Sequence, residues 1–209
     1  MRKLLMLLFL ILASTTILTA QKIQIQKSDP FDEPDDTWNK LLQLKNGSTL
    51  FFHRKDGKGI EVTVYDKNRK KIGQNFVESD DFDDDAKIRG LYEINGEAVL
   101  FFFRICKEPV LFRYRINATT GALIQKDDLG TLEHLPSMAM QYKFVLNSHL
   151  SGFDVEKDPN SDFYTTITYD QEIKIGSSGK QYIKVTHFDG SHKKKIDSLF
   201  TIYNGGFIA

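Results

Sequence analysis

The sequence is poor in cysteine. Cys106 is the only one in 209 residues, so no disulfide can form within the chain. Small secreted domains often depend on disulfides, and this chain must depend on its hydrophobic core instead. The chain also lacks net charge, with 28 Lys plus Arg against 28 Asp plus Glu. This balance gives no indication of a nucleic-acid partner.

Long apolar runs are absent except at the N terminus. Arg2 and Lys3 precede an unbroken apolar run at residues 4–12, and a segment rich in small and polar residues follows up to Ala20. This order is typical of a cleaved signal peptide. A membrane anchor is the alternative, but a spanning helix needs about 20 apolar residues. We expect residues 1–20 to be a signal peptide and the protein to be exported, either periplasmic or extracellular, with no membrane association after cleavage.

Proline is also scarce, and two of the five prolines lie in one acidic stretch. Pro30 and Pro34 stand among five acidic residues before Trp38. Such a segment is typical of a solvated linker. We therefore divide the chain into a signal peptide (1–20), an N-terminal lead-in and acidic linker (21–37) and a repeat domain (38–209).

Turn signals and alternating apolar residues are abundant after the linker. Asn46-Gly47 separates the apolar-rich segments 41–44 and 49–53, which predicts a β-hairpin. In residues 60–65, apolar and polar side chains alternate with the period of a strand. Residues 70–77 complete a predicted meander of four strands.

The same unit recurs along the chain. Asn46 precedes Tyr65 by the same number of residues as Asn95 precedes Tyr114. We expect a third copy to open at Asn147-Ser148 and a fourth to open at Asn204-Gly205. The predicted strands of the second copy are 91–94, 99–105 and 110–116. Those of the third copy are 142–146, a strand with Phe153 and Val155, 163–169 and an enlarged fourth strand with 182–188. The fourth copy has one predicted strand, 199–203.

A period of about 50 residues with four strands in each unit is typical of propeller blades. The prediction is an all-β fold of antiparallel four-stranded repeats, a partial β-propeller with about three blades and the start of a fourth. A two-sheet sandwich is the alternative, because it also has short strands at regular spacing. In a partial propeller we expect self-association through unpaired blade edges. We also expect the chain to be the N-terminal part of a longer propeller.

The repeat motif resembles a known group of proteins. The leader ends in Ala20-Gln21, and the first copy contains the set Asn46, Gly47, Phe51, Phe52, Val64, Tyr65, Asp66, Lys70, Lys71 and Ile72. Phe188-Asp189 followed by Lys194, Lys195 and Ile196 repeats the end of this pattern, and the second copy has Arg115 where Asp would stand. Together these motifs resemble the secreted β-propeller-like proteins of Bacteroidota. The resemblance implies a fold and a compartment but no reaction.

Candidate chemical groups are scattered, so the catalytic residues, if any, are unknown, and we expect no cofactor or metal site. The five histidines (His53, His134, His149, His187 and His192) have no metal-ligand spacing, so each is expected at the surface or a strand edge. The acidic stretches 78–85 and 158–162 are interpreted as solvated turns, since the second lacks the Gly and Glu of a calcium loop. Cys106 is interpreted as a buried structural thiol, and no Gly-x-Ser-x-Gly motif is present.

Two functions remain open from the sequence. The first is a non-enzymatic propeller-type module that binds a protein or glycan partner through loops on a rigid scaffold. The second is part of a propeller-type enzyme such as a glycan-cleaving hydrolase, in which carboxylates from several blades converge. Carboxylates clustered near the centre of the propeller would favour the enzyme, and a mixed lining would favour the binding module.

Overall fold

Antiparallel β-sheet makes up all the regular structure in the described part of the chain. The computed structural model describes residues 38–55, 58–82, 86–104, 109–132, 152–172 and 180–203. These residues all belong to one folded unit, Glu33–Ala209. The predicted signal peptide, the lead-in at 21–37, Cys106, His134 and His149 lie outside the described residues.

The strands form three sheets, each a meander of four strands in chain order. Each strand pairs antiparallel with the strand before it in its sheet. The all-β fold of four-stranded repeats is therefore confirmed. The first sheet contains β1 (Asn39–Gln43), β2 (Thr49–Lys55), β3 (Gly59–Tyr65) and β4 (Lys71–Glu78); the second contains β5 (Ala86–Ile94), β6 (Glu97–Arg104), β7 (Val110–Ile116) and β8 (Leu123–Thr131); the third contains β9 (Gly152–Lys157), β10 (Tyr164–Glu172), β11 (Lys180–Phe188) and β12 (Lys194–Tyr203).

The turn between the third and fourth strands of each sheet is built around one acidic or amide side chain. Asp66 Oδ1 accepts hydrogen bonds from the backbone N–H groups of residues 68 and 70, and Asp189 Oδ1 accepts from those of residues 191 and 193. Asn117 has the same role in the second sheet. The residue that corresponds to Asp66 in the second copy is thus Asn117, and the assignment of Arg115 to that position is wrong.

Two hydrophobic clusters hold the sheets together. We call the face of a sheet that points to the next sheet along the chain its forward face, and the opposite face its rear face. The first cluster joins the forward face of the first sheet, which includes Phe52 and Val62, to the rear face of the second, which includes Leu100 and Phe102. The second cluster joins the forward face of the second sheet to the rear face of the third, where Phe153 and Tyr164 lie.

The second sheet is therefore buried on both faces. Phe101 and Phe103 point into one cluster and Phe102 points into the other, and each side chain is at most 2% exposed. Side chains alternate across a strand, so three consecutive aromatic residues fill both interfaces.

The first strands of the sheets lie side by side. β1 contacts β5, and β5 contacts β9, so these three strands form what we call the inner edge. The fourth strands are on the opposite side of their sheets, where most side chains of β4, β8 and β12 are exposed. This arrangement is that of successive propeller blades.

The third repeat differs from the prediction by one strand. The segment with Phe153 and Val155 is the first strand of the third sheet rather than the second, and residues 182–188 belong to its third strand. The turn between the first two strands is at residues 158–161, where no Asn-Gly pair is present. The predicted turn at Asn147-Ser148 lies outside the described residues.

The predicted start of a fourth blade is also corrected. Residues 199–203 are part of β12, which pairs with β11 as the last strand of the third sheet. They resemble the start of a blade because Asn204-Gly205 follows an apolar strand there, as Asn46-Gly47 does after β1. The turn-strand pattern identifies a strand end, but it does not identify the position of that strand within a sheet.

Candidate functional site

A polar cluster is buried between the second and third sheets. Arg113, on β7, donates two hydrogen bonds to Asp127 Oδ2 on β8, at 2.9 and 2.7 Å. The same guanidinium donates to the Tyr164 hydroxyl, which lies 3.2 Å from His192 Nδ1. The cluster thus links both sheets through residues from four separate elements.

A second ion pair borders this cluster. Arg115 donates from Nε and Nη2 to the two carboxylate oxygens of Glu97, at 2.7 and 2.8 Å. His192 Nε2 lies 3.5 Å from Glu97 Oε2, which is longer than a normal hydrogen bond. The two arginines and the histidine therefore lie within one set of mutually interacting charges.

Burial and charge set the ionisation of these groups. Burial, together with the positive charges of Arg113 and Arg115, lowers the pKa of His192. Burial raises the pKa of Tyr164 to about 12. The hydrogen bonds from Arg115 lower the pKa of Glu97. A neutral histidine and an ionised carboxylate are thus favoured at neutral pH.

A smaller polar cluster lies between the first and second sheets. Burial disfavours an ionised Asp81, but hydrogen bonds from Lys126, Tyr114 and Ser79 outweigh that effect and lower its pKa. The Tyr114 hydroxyl lies 2.6 Å from Asp81 Oδ2 and 2.7 Å from Ser79 Oγ, and burial raises the pKa of Tyr114. The interpretation of Asp81 as part of a solvated turn is therefore wrong, because it bonds side chains of the next sheet.

Both clusters form contacts between neighbouring sheets rather than with solvent. Their charged groups pair with one another, which avoids the cost of burying an isolated charge. Neither cluster was predicted, since each depends on which strands lie opposite one another. The sequence signal was present only as arginines inside an apolar strand, at positions 113 and 115.

Solvent-exposed charges of both signs lie at the inner edge. Lys87 and Arg89 of β5 are exposed there, as are Asp154 and Glu156 of β9. Leu41 of β1 is 68% exposed. The inner edge therefore presents both signs of charge and an apolar side chain within the described residues.

Arg89 is held in place more firmly than an ordinary surface arginine. The register between β5 and β6 shifts between Ile88 and Gly90, so Arg89 is the extra residue of a β-bulge. Its guanidinium lies 4.7 Å from the centre of the Phe103 ring. Bulges redirect side chains, and stacking on a ring restricts the arginine. Arg89 was not predicted, although the glycine after it was a signal of an irregular strand.

Tyr92 connects the inner edge to the third sheet. Its hydroxyl donates a hydrogen bond of 2.9 Å to the Val155 carbonyl. Burial raises the pKa of Tyr92, and the charges of Glu156 and Asp154 raise it further. The two carboxylates thus lie close enough to this hydroxyl to affect its ionisation.

The histidines behave differently from the prediction. His53 and His192 are 7% and 8% exposed, so the expectation of surface or edge positions is wrong for both. His53 Nδ1 lies 2.7 Å from Asn39 Oδ1, and His187 Nδ1 lies 3.0 Å from Thr165 Oγ1. Within the described residues, no three His, Cys, Asp or Glu side chains form a group that could hold a metal ion.

The acidic stretch at 158–162 forms the turn between β9 and β10. Asp158 accepts hydrogen bonds from the Asn160 backbone and the Ser161 hydroxyl. Asp162 accepts from the Lys45 ammonium at 3.2 Å and from the Asn95 backbone at 3.1 Å. Asp162 therefore joins the turns of all three sheets at one end of the inner edge.

Comparison with known proteins gives no assignment. No family model, no curated protein and no solved structure matches this chain. The resemblance to secreted β-propeller-like proteins thus remains a prediction from the repeat motifs. The described residues contain no helix of the length and apolarity that crossing a bilayer would require.

Proposed function

We propose that this chain is an exported, non-enzymatic binding module of the propeller type, with a protein or glycan as its partner. The observation that carries the proposal is the mixed composition of the inner edge. Two basic residues, Lys87 and Arg89, lie on β5 and two acidic residues, Asp154 and Glu156, lie on β9. A surface with both signs of charge suits a ligand with many hydrogen-bonding groups.

Arg89 is the residue best suited to contact the partner. It is exposed, and Phe103 supports its guanidinium. Arginine is enriched among residues that dominate binding energy, and a restricted side chain loses less entropy when it binds. The planar guanidinium can donate paired hydrogen bonds to a carboxylate or to neighbouring hydroxyl groups.

A glycan-cleaving enzyme is the second candidate, and the placement of carboxylates makes it the weaker one. Glycosidases use two carboxyl groups on either side of the scissile bond, about 5–10 Å apart. Asp154 and Glu156 are the exposed carboxylates on β9, and they lie on the same face of one strand. Side chains on one face of one strand approach a ligand from the same direction.

Glycan and peptide arrays probed with the labelled, purified chain test this proposal. We expect a ligand whose affinity falls at least about tenfold in Arg89→Ala, because a central arginine contact is lost. Arg69→Ala is the matched control, since Arg69 is an exposed arginine in the turn between β3 and β4. Equal loss in both variants would contradict a site at the inner edge. Glycoside turnover that Asp154→Asn or Glu156→Gln abolishes would establish the enzyme instead.

Export is a separate part of the proposal. The basic residues Arg2 and Lys3 and the apolar run at 4–12 support it. Intact-mass measurement of the protein recovered from the periplasm or medium should show a chain that begins near Gln21. A mass that still includes residues 1–20 would overturn cleavage.

A further inference from the structure

The dipeptide Asn-Gly occurs in two described hairpins and has a different structure in each. Asn46-Gly47 lies between β1 and β2, and Asn95-Gly96 lies between β5 and β6. Both asparagines are exposed. An asparagine side chain can react with the backbone nitrogen of the next residue, and glycine offers the least steric resistance because it has no Cβ. A further pair, Asn204-Gly205, lies outside the described residues.

In the first hairpin, hydrogen bonds hold both groups that would have to react. The Gly47 N–H donates to the Leu44 carbonyl at 2.9 Å. Asn46 Oδ1 accepts from the Ser48 backbone N–H, also at 2.9 Å. Gly47 is confined as well, since a Cβ placed on it would lie 3.2 Å from Lys67 Cβ. The side-chain amide of Asn46 and the nitrogen of Gly47 are therefore both restrained.

The second hairpin leaves the same two groups free. Within the described part of the chain, no group accepts a hydrogen bond from the Gly96 N–H, and none pairs with the Asn95 side-chain amide. Apart from its chain neighbours, nothing lies within 4 Å of a Cβ placed on Gly96. The peptide group between Asn95 and Gly96 can therefore rotate without the loss of a described hydrogen bond.

This rotation brings the reacting atoms together. Asn95 and Gly96 have φ of 51° and 75°, which is the type I′ turn of a two-residue hairpin. Rotation of the central peptide converts it to a type II′ turn, which two-residue hairpins also use, so the pairing of β5 with β6 is kept. In a type II′ turn, ψ of the first central residue is about −120°. At that angle the Gly96 nitrogen lies on the side of the Asn95 Cβ, within reach of Cγ.

We propose that Asn95 is a site of spontaneous deamidation in the folded protein, with Gly96 as the internal nucleophile. The Gly96 nitrogen attacks Asn95 Cγ and forms a new C–N bond. The amide proton of Gly96 passes to solvent, and the side-chain nitrogen of Asn95 takes up one proton and leaves as ammonia. Water then adds to either carbonyl of the resulting succinimide, which gives aspartate or isoaspartate at position 95.

The modification should weaken a contact between the second and third sheets. Asp162 Oδ2 accepts a hydrogen bond of 3.1 Å from the Asn95 backbone N–H. Isoaspartate adds a methylene to the main chain of the turn, and either product adds a negative charge near the Asp162 carboxylate. We therefore expect the turn between β9 and β10 to open more readily in the deamidated protein.

Peptide mapping of the purified wild-type chain during storage in mildly alkaline buffer tests the proposal. Trypsin separates the two sites, because Asn46 lies in the peptide 46–54 and Asn95 in the peptide 90–104. Mass spectrometry measures the conversion of each amide to an acid, and a sample taken at zero time corrects for conversion during digestion. We expect Asn95 to convert at least about tenfold faster than Asn46, because two hydrogen bonds must break at Asn46. Equal rates, or faster conversion of Asn46, would overturn the proposal.

The chain unfolded in denaturant is the matched control for this measurement. Both Asn-Gly pairs should then convert at similar rates, because the hydrogen bonds that protect Asn46 are absent. A tenfold difference that persisted in the unfolded chain would assign the reactivity to local sequence and contradict the proposal.

The structural consequence is measured on the deamidated protein itself. Ion exchange separates this form by its added negative charge. Native-state hydrogen exchange in residues 158–163 should be faster in the deamidated form than in the unmodified form. Unchanged exchange in that turn would contradict the loss of the contact with Asp162.

Discussion

Phe102 is the residue whose burial best represents the core. It is 0% exposed and packs against the rings of Phe82, Phe112 and Tyr114. We expect Phe102→Ala to lower the free energy of unfolding by about 3–5 kcal/mol, because it leaves a cavity between two sheets. Denaturant unfolding monitored by circular dichroism measures the change.

Phe51→Ala is the comparison for that measurement. Phe51 is on the rear face of the first sheet and is only half-buried. A loss below about 1 kcal/mol in Phe102→Ala, or a loss no larger than in Phe51→Ala, would contradict the described packing of the first two sheets.

His192 should make stability depend on pH. Its folded-state pKa is lowered from the ordinary value of 6.5. The unfolded chain therefore binds a proton at a higher pH than the folded chain does. The stability that neutral His192 contributes is complete at a pH above the unfolded-state pKa. It is lost as the pH falls from that value through the folded-state pKa. We expect the unfolding midpoint in denaturant to fall between pH 7 and about pH 5.5 in the wild type.

Two variants assign this pH dependence to its source. His192→Gln removes the titrating ring and should flatten the profile in that range. His187→Gln should keep the slope, since His187 pairs with Thr165 on the forward face of the third sheet, away from the buried cluster. An unchanged slope in His192→Gln would show that another group is responsible.

At the scale of elements, two equivalent turns contain the same unusual backbone conformation. Arg69 and His192 each occupy the position after the two central turn residues, with φ of 64° and 65°. A left-handed conformation costs a non-glycine residue roughly 1 kcal/mol. The cost is the same at both turns, but only His192 places its side chain in a buried cluster.

Glycine substitutions at these turns should thus have opposite effects. Arg69→Gly should raise the free energy of unfolding by up to about 1 kcal/mol, because glycine adopts positive φ without strain. His192→Gly should lower it by about 2 kcal/mol or more, because the Tyr164 hydroxyl loses a partner and a cavity remains. Thermal unfolding of both variants provides the test. Stabilisation by His192→Gly would contradict the role of its ring between the sheets.

The same turns show how far local sequence determines the elements. Asn46-Gly47 and Asn95-Gly96 predicted the first hairpins of two sheets correctly, because glycine at positive φ is a strong local requirement. The third sheet uses the turn at 158–161 instead, in which Asp158 replaces the Asn-Gly signal with side-chain hydrogen bonds. Because this turn has no Asn-Gly pair, the predicted strand assignment of the third repeat is shifted by one strand.

The polar contacts could not be predicted in the same way. Arg113 and Tyr164 are 51 residues apart, and their contact depends on how two sheets stack. Arg89 reaches the inner edge through a bulge, which depends on the pairing of β5 with β6. Alternation along a strand predicts which side chains share a face, but it does not predict which face lies opposite.

At the scale of the whole molecule, the second sheet should be the most stable part. It is the described sheet with both faces buried, whereas the first and third sheets each have one face in a core cluster. Backbone amides exchange with solvent by local opening, and the opening energy is greatest where most apolar surface is buried. We expect the slowest hydrogen exchange in β6 and β7 and faster exchange in β4 and β12.

Native-state hydrogen exchange with mass spectrometry measures this order peptide by peptide. The comparison of β7 with β12 is the most informative. β7 lies between two strands of its own sheet and between two other sheets, whereas β12 is the edge strand of its sheet. Phe102→Ala should accelerate exchange in β6 and β7 more than in β11, since the cavity lies in the first cluster. Equal protection in all three sheets would mean that the molecule opens as a single unit and that the second sheet has no special role.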